Sequence, residues 1–169
     1  GLRGYARGFE VYVQTLPAVG NQTRRTALEA GLRWLPDDYW TYTLDWSNTG
    51  DADVPLRAHY YDVTAHSLNA SAQWRASERS AIKLSANADR YSDGNRRYGW
   101  EAAWTQRAYT APWFTVDGGL QAGATRNSRS DVPYYSPSCA RWVAATGRLE
   151  NMLYERYERS WSHQLDLSF

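Results

Sequence analysis

Eight carboxylates share one parity of the sequence's alternating stretches: Glu10, Glu29, Asp45, Asp89, Glu101, Asp117, Glu150 and Asp166. Arg33, Arg75, Lys83, Arg107 and Arg148 stand on the same parity, as do Tyr12, Tyr39 and Tyr91. Scattered over separate stretches, these groups show no acid–base pair of the kind catalysis uses. Carboxylate rings facing water favour cationic solutes, and aromatic faces give sugar rings weak, repeated contacts. The same charges can also pair across neighbouring strands. Glu29, Asp45, Asp89, Glu101, Asp117 and Asp166, with Tyr39 and Tyr91, are the candidate lining residues.

Other chemistry finds little support. His59, His66 and His163 could in principle pair with carboxylates or serines, but His163 falls on the apolar parity and His59 lies in a loop with no catalytic spacing. No GxSxG, HExxH or metal-ligand cluster occurs. No catalytic residue, metal or cofactor is expected, and the chain reads as a non-enzyme. Cys139 is the single cysteine, so no intramolecular disulfide can form. In its Ser/Pro-rich setting it reads as an ordinary loop thiol.

The elements that must position these residues repeat with period two, which marks strands. Nine strands are expected, at 9–16, 24–34, 39–47, 63–75, 81–91, 98–107, 114–125, 142–153 and 161–169. Residues 1–8, Gly- and Arg-rich, carry no clear assignment. Most strands reach the ~9–11 residues that a tilted strand needs to cross a bilayer. The short connections are Leu35–Asp38, Ala76–Ser80, Ala108–Trp113 and Tyr154–Ser160. The others are Pro17–Thr23, Asn48–Asp62, Ser92–Arg97 and Arg126–Arg141. Short turns at one rim and longer loops at the other is the plan of outer-membrane barrels. Asn48–Asp62 and Arg126–Arg141 are long enough, and carry enough tyrosine (Tyr60, Tyr61, Tyr134, Tyr135), to fold inward as constrictions.

Opposite the polar face lies one of modest bulk, nearly free of charge. Examples are Leu28, Ala30, Leu32 and Trp34, or Trp40, Tyr42, Leu44 and Trp46. A charge there would cost about 2–4 kcal/mol at the bilayer midplane. Aromatics gather beside the short turns (Trp34, Tyr39, Trp40, Trp74, Trp113, Phe114, Tyr154, Tyr157, Trp161) and near the other rim (Trp46, Tyr91, Tyr98, Trp100). They read as two interfacial girdles.

Composition agrees. Hydrophobic residues make up 43% of the 169, yet mean hydropathy is −0.70, because nine Trp and thirteen Tyr stand in for branched aliphatics. Net charge is +1, which does not suggest a nucleic-acid stripe. No apolar run approaches a membrane helix, and no signal peptide opens the chain. The expected class is all-β: a transmembrane antiparallel up-and-down β-barrel of the bacterial outer membrane, one domain over residues 1–169. A soluble carbohydrate-binding β-sandwich shows similar alternation and stays open. So does a small closed barrel with residues 1–8 as a tenth strand.

The final stretch, "SWSHQLDLSF", alternates like a terminal barrel strand. It would run outward from a short turn, so Phe169 falls at the wrong rim for a terminal aromatic. Nine is also an odd count, and open edges are not tolerated in lipid. The expectation is a barrel that continues past Phe169.

Several stretches carry a resemblance: "DVPLRAHYYDVTAHSLNASAQWRASERS", "DRYSDGNRRYGWEAAWTQRAYTAPWF", "RNSRSDVPYYSP" and "YERYERSWSHQLDLSF". They are similar to the outer-membrane porins that export poly-β-1,6-N-acetylglucosamine, the PgaA family. "YSDGNRR", "YTAP" and "SDVPYYSP" are the most specific pieces, and the match is dense from about Asp53 onward. The resemblance implies a barrel of roughly sixteen strands, preceded in the family by a periplasmic TPR superhelix. No TPR pattern occurs in this chain. It also implies outer-membrane lipid around the barrel, an exported biofilm polysaccharide as cargo, and a periplasmic deacetylase as partner. The family's polymer is partly de-N-acetylated and carries ammonium groups, which an acid-biased lumen would attract.

Overall fold

The computed structural model describes residues 1–19, 24–48, 61, 63–156 and 159–168, and for 16–19, 24–27, 153–156 and 159–163 it describes the backbone. Ten strands form one sheet: β1 (Leu2–Ala6), β2 (Phe9–Val19), β3 (Arg24–Trp34), β4 (Trp40–Ser47), β5 (Ala65–Ser77), β6 (Ser80–Tyr91), β7 (Arg96–Ala111), β8 (Phe114–Asn127), β9 (Cys139–Arg156) and β10 (Arg159–Ser168). Each pairs antiparallel with its neighbour in sequence, an up-and-down meander. No β1–β10 pairing is present among the described residues.

The unassigned residues 1–8 supply β1 and a two-residue turn. Arg7 and Gly8 both take positive φ, 44° and 81°. That geometry matches the twist of the flanking strands. A Cβ at Gly8 would also strike the Leu35 carbonyl, 2.5 Å away. Two expected turns are tighter than the sequence suggested. β5 and β6 join through Glu78–Arg79 and β7 and β8 through Pro112–Trp113, while the expected turn Tyr154–Ser160 lies partly outside the described residues. Ladder bonds continue through polar residues at the strand ends, so β7 and β9 run past their apolar cores.

The sheet is sheared. One cross-strand row runs Trp34, Tyr42, Ala72, Leu84, Ala102, Ala122, Val143. Measured from that row, the short-turn rim lies next to Trp34 on β3, at Ser77 on β5, at Ala111 on β7 and at Arg156 on β9. The offset grows by about two residues per strand, the stagger that tilts barrel strands.

The more exposed face is the apolar one. Leu44, Leu68, Leu84, Trp100, Leu120 and Leu165 are all exposed, Leu84 by 55%. The buried apolar residues are Ala65, Tyr91 and Tyr134 alone among those described. Fully burying one such side chain is worth about 1.5–3 kcal/mol, so a surface this apolar requires an apolar neighbour. A soluble sandwich would cover it with a second sheet, and no second sheet exists among the described residues. Lipid is the cover that fits.

Near the short turns the apolar face carries a continuous aromatic stack. Phe9 lies on Trp34 at 5.6 Å, Trp34 on Tyr42 at 5.3 Å, Tyr42 on Trp40 at 5.6 Å, and Trp40 beside Trp74 at 6.2 Å. Tyr109 and Phe114 extend it on β7 and β8 at 6.3 Å. Tyr39 and Trp113, expected in this band, stand in the turns themselves. Tyr154, Tyr157 and Trp161 lie outside the residues whose side chains are described. At the other rim Trp46, Tyr98 and Trp100 are outward. Tyr91 is a correction: it stands on the opposite face and is buried.

Candidate lumen face and outer-rim loop

The polar face is built by cross-strand register. Glu29 stands between Gln14 and Ser47, Asp45 between Gly31 and Asn69, and Glu101 between Ser85 and Gly123. Asp89 faces Ser67 and Arg97, while Asp117 and Asp166 both flank Arg148. All six candidate carboxylates therefore share this face.

Their electrostatics divide into two regions. Across β7–β10 the row Arg107, Asp117, Arg148, Asp166 alternates in sign. Arg107 Nε lies 2.9 Å from Asp117 Oδ1, and Arg148 Nε 2.8 Å from Asp166 Oδ1. These are the cross-strand pairs the sequence left open, and being solvated each is worth about 0–1 kcal/mol. Across β2–β4, Glu10 pairs with Arg3 and Arg33, whereas Glu29 and Asp45 meet neutral donors instead. Tyr12 Oη donates to Asp45 Oδ1 at 2.8 Å, and Gln14 Nε2 donates to Glu29 Oε2 at 2.6 Å. No ion pair of Glu29, Asp45 or Glu101 occurs among the described residues. Two arginines not counted from the sequence, Arg3 opposite Tyr12 and Arg97 opposite Asp89, join the same face. The face as a whole is thus close to charge balance, and among the candidate carboxylates its acidic character rests on Glu29, Asp45 and Glu101.

The aromatics of this face differ from expectation. Tyr39 N donates to Asp37 Oδ1 at 2.8 Å in the turn before β4, so Tyr39 marks the rim. Tyr91 keeps the polar parity read from the sequence but is buried against Tyr134, and the same face also carries Trp142, which the sequence left unsorted. It stands opposite Gly123 with its indole lying across that glycine, 2.8 Å from where a Cβ would be. Tyr12 covers Gly31 in the same manner. The signal was present as large-opposite-glycine pairs, readable only once the register is known.

At the longer-loop rim the connection 128–138 folds over the polar face. Asn95 is its anchor and is fully buried. Its Nδ2 donates to Ser136 Oγ at 2.9 Å and Tyr134 Oη at 3.2 Å. Its Oδ1 accepts from Arg129 N at 3.0 Å and Ser128 Oγ at 3.2 Å. Tyr134 Oη donates to Asp93 Oδ2 at 2.7 Å, and its ring packs on Tyr91 at 6.0 Å. Ala65, Val63 and Val132 complete a small apolar cluster. Burial is the main cause that pushes the Tyr134 phenol up to about 12. Hydrogen bonding from Arg129 holds the Asp131 carboxyl below its usual value. Of the two expected constrictions, Arg126–Arg141 is partly strand, with β8 running to Asn127 and β9 starting at Cys139, and its remaining loop 128–138 packs on the β6–β7 turn. Asn48–Asp62 lies almost wholly outside the described residues, as do His59 and Tyr60.

His66 stacks on Trp46 on the outward face, 6.4 Å between centroids, away from the carboxylates. No cluster of three or more metal-ligating side chains occurs among the described residues.

A family model described as "PgaA membrane beta barrel domain" matches residues 9–169. The chain belongs to the PgaA barrel family. Its place is the bacterial outer membrane, and the outward apolar face is the lipid face of a PgaA-type barrel. Two poly-β-1,6-N-acetyl-D-glucosamine export proteins, from Escherichia coli strains K12 and O157:H7, are each 30% identical to it over 108 residues. That alignment covers 64% of this chain and 13% of each relative. A solved structure titled "Bacterial polysaccharide outer membrane secretin" superposes with a TM-score of 0.90 at 22% identity, over 98% of this chain and 57% of that one. That likeness carries the fold. In PgaA-barrel terms, the short turns mark the periplasmic rim and the longer loops the outer rim.

Proposed function

We propose that this chain lines the conduit by which a β-1,6-linked N-acetylglucosamine polymer leaves the cell, and that the partly de-N-acetylated form is the cargo. The observation that carries the reading is the pairing of two surfaces on one face. Glu29 and Asp45 are acids held by neutral donors, and Trp142 lies flat over Gly123. Ammonium groups on a glucosamine unit are drawn to the first through water. Pyranose rings stack on the second. Neither contact is strong, which a sliding polymer requires.

The charge row on β7–β10 keeps the remaining wall polar without adding net attraction. The loop 128–138, anchored on Asn95, narrows the outer end and is the gate. The role is conduit rather than catalyst, with His66 set outward. A periplasmic TPR domain and a deacetylase belong to the same export system in this reading.

The test is current block in the intact protein across a planar bilayer. A β-1,6-linked oligomer containing free glucosamine should block more strongly than its fully N-acetylated counterpart at neutral pH. The difference should shrink at high salt and in the variant Glu29→Gln/Asp45→Asn/Glu101→Gln. Equal block by both oligomers would remove the ammonium from the proposal.

A further inference from the structure

The outward face is nearly free of charge along the membrane span, but not at its outer end. Arg90 on β6, Arg96 on β7, Arg126 on β8 and Arg141 on β9 all stand on the lipid-facing parity. Arg90 and Arg96 are direct cross-strand partners. Like charges so opposed destabilise a sheet. All four side chains are exposed, and none forms an ion pair among the described residues. The carboxylates that could neutralise them face the other way.

Their height is also informative. Arg126 lies opposite Cys139, two positions from Arg141, and Tyr98 opposite Arg126 lies two positions from Arg96. The sheet's stagger is about two residues per strand, so these steps bring Arg96, Arg126 and Arg141 to one level. Arg90 falls just below. From Phe114 in the inner girdle to Arg126 is about 40 Å along β8 at ~3.3 Å per residue. With a strand tilt near 40°, that is about 30 Å along the membrane normal. The apolar band of such a barrel is about 25 Å tall. The arginines therefore stand at the level of the outer-leaflet headgroups.

We propose that this belt holds the phosphates of a multiply phosphorylated glycolipid in the outer leaflet. Guanidinium groups bind phosphate through paired hydrogen bonds. Four of them on adjacent strands ~4.8 Å apart span about 15 Å, room for more than one phosphate on one sugar headgroup. The surface continues apolar beneath them. Arg126 and Arg141 border one groove with Tyr98, Trp100, Ala122 and Val143. A soluble anion would use only the arginines, whereas a lipid uses the arginines and the apolar wall below. Charge complementarity and that continuity together select the amphiphile.

The experiment is equilibrium binding of diphosphoryl lipid A to the intact detergent-solubilised protein. The comparison ligands are its dephosphorylated form and inorganic phosphate as competitor. Arg126→Gln/Arg141→Gln should weaken binding at least about tenfold, since two charge-assisted contacts are lost. Arg126→Lys/Arg141→Lys should retain an intermediate affinity, and Arg79→Gln at the opposite rim should bind as the parent does. The dephosphorylated lipid should bind at least about tenfold more weakly, and millimolar phosphate should leave the lipid in place. Unchanged binding in the Gln variant overturns the proposal, as does equal affinity for the dephosphorylated lipid. Full displacement by inorganic phosphate overturns the choice of a lipid.

Discussion

Replacing Asn95 with alanine removes the four side-chain hydrogen bonds that tie the loop 128–138 to the β6–β7 turn. At a net ~1 kcal/mol each they would sum to about 4 kcal/mol. Ser128 and Arg129 are exposed and recover water, whereas Tyr134 and Ser136 are buried. Tyr134 keeps its bond to Asp93, and Ser136 keeps its bond to the Arg129 carbonyl. The expected loss in loop closure is thus about 2–3 kcal/mol. That corresponds to a rise of about 30- to 150-fold in the population of the opened loop. Amide hydrogen exchange reads it directly, because Arg129 N donates to the deleted oxygen. Peptides spanning 128–138 should exchange faster by that factor. Peptides from the middle of β8, held by ladders on both sides, should not change. Exchange within about twofold of the parent in the loop would refute the reasoning. An equal increase in β8 would show global loosening instead of a local latch.

Other consequences follow from the same geometry. Gly31→Ala puts a methyl group into the Tyr12 ring and the Asp45 carboxylate, so thermal stability should fall by about 1–3 kcal/mol. Gly147→Ala meets nothing within 4 Å and should stay within about 0.5 kcal/mol of the parent in the same melt. Tyr134 titrates at about 12 in the closed loop, against about 10 for a free phenol. Its burial therefore supports closure fully below about pH 10, and that support is lost as pH rises through about 12. The absorbance difference at phenolate wavelengths between the parent and Tyr134→Phe should show a midpoint near 12, and a midpoint near 10 would place the ring in water. Asp117→Asn leaves Arg107 without its partner on the polar face, so, with that face lining the conduit as proposed, the cation-to-anion permeability ratio from reversal potentials should drop below the parent's.

Much of the fold was legible because alternation is a local property. β3 begins and ends where its pattern does, between Arg24 and Trp34. The six carboxylates share a face because parity survives every turn once strand starts are right. Other features depend on register, which the sequence does not display. Trp142 over Gly123 and the Arg107–Asp117–Arg148–Asp166 row arise only when β7–β10 are aligned. β1 was missed because Gly1, Gly4 and Gly8 dilute its pattern, and its turn is set by backbone angles at Arg7 and Gly8. Tyr91 misled because its rim position suggested a girdle while its parity pointed inward, and parity prevailed. The Asn95 latch is tertiary: its partners lie 33 to 41 residues away.

The central claim is that the polar face meets water and the apolar face meets lipid. Adjacent β5 residues Leu68 and Asn69 test it most directly, since they point to opposite faces. In a Cys139→Ser background, Leu68→Cys and Asn69→Cys would be treated with a charged, membrane-impermeant thiol reagent in the intact protein in a bilayer. Asn69→Cys should be modified rapidly and with a step in channel current, and Leu68→Cys should react only with a lipid-soluble reagent. The reverse pattern would turn the barrel wall inside out and contradict the assignment of its lumen.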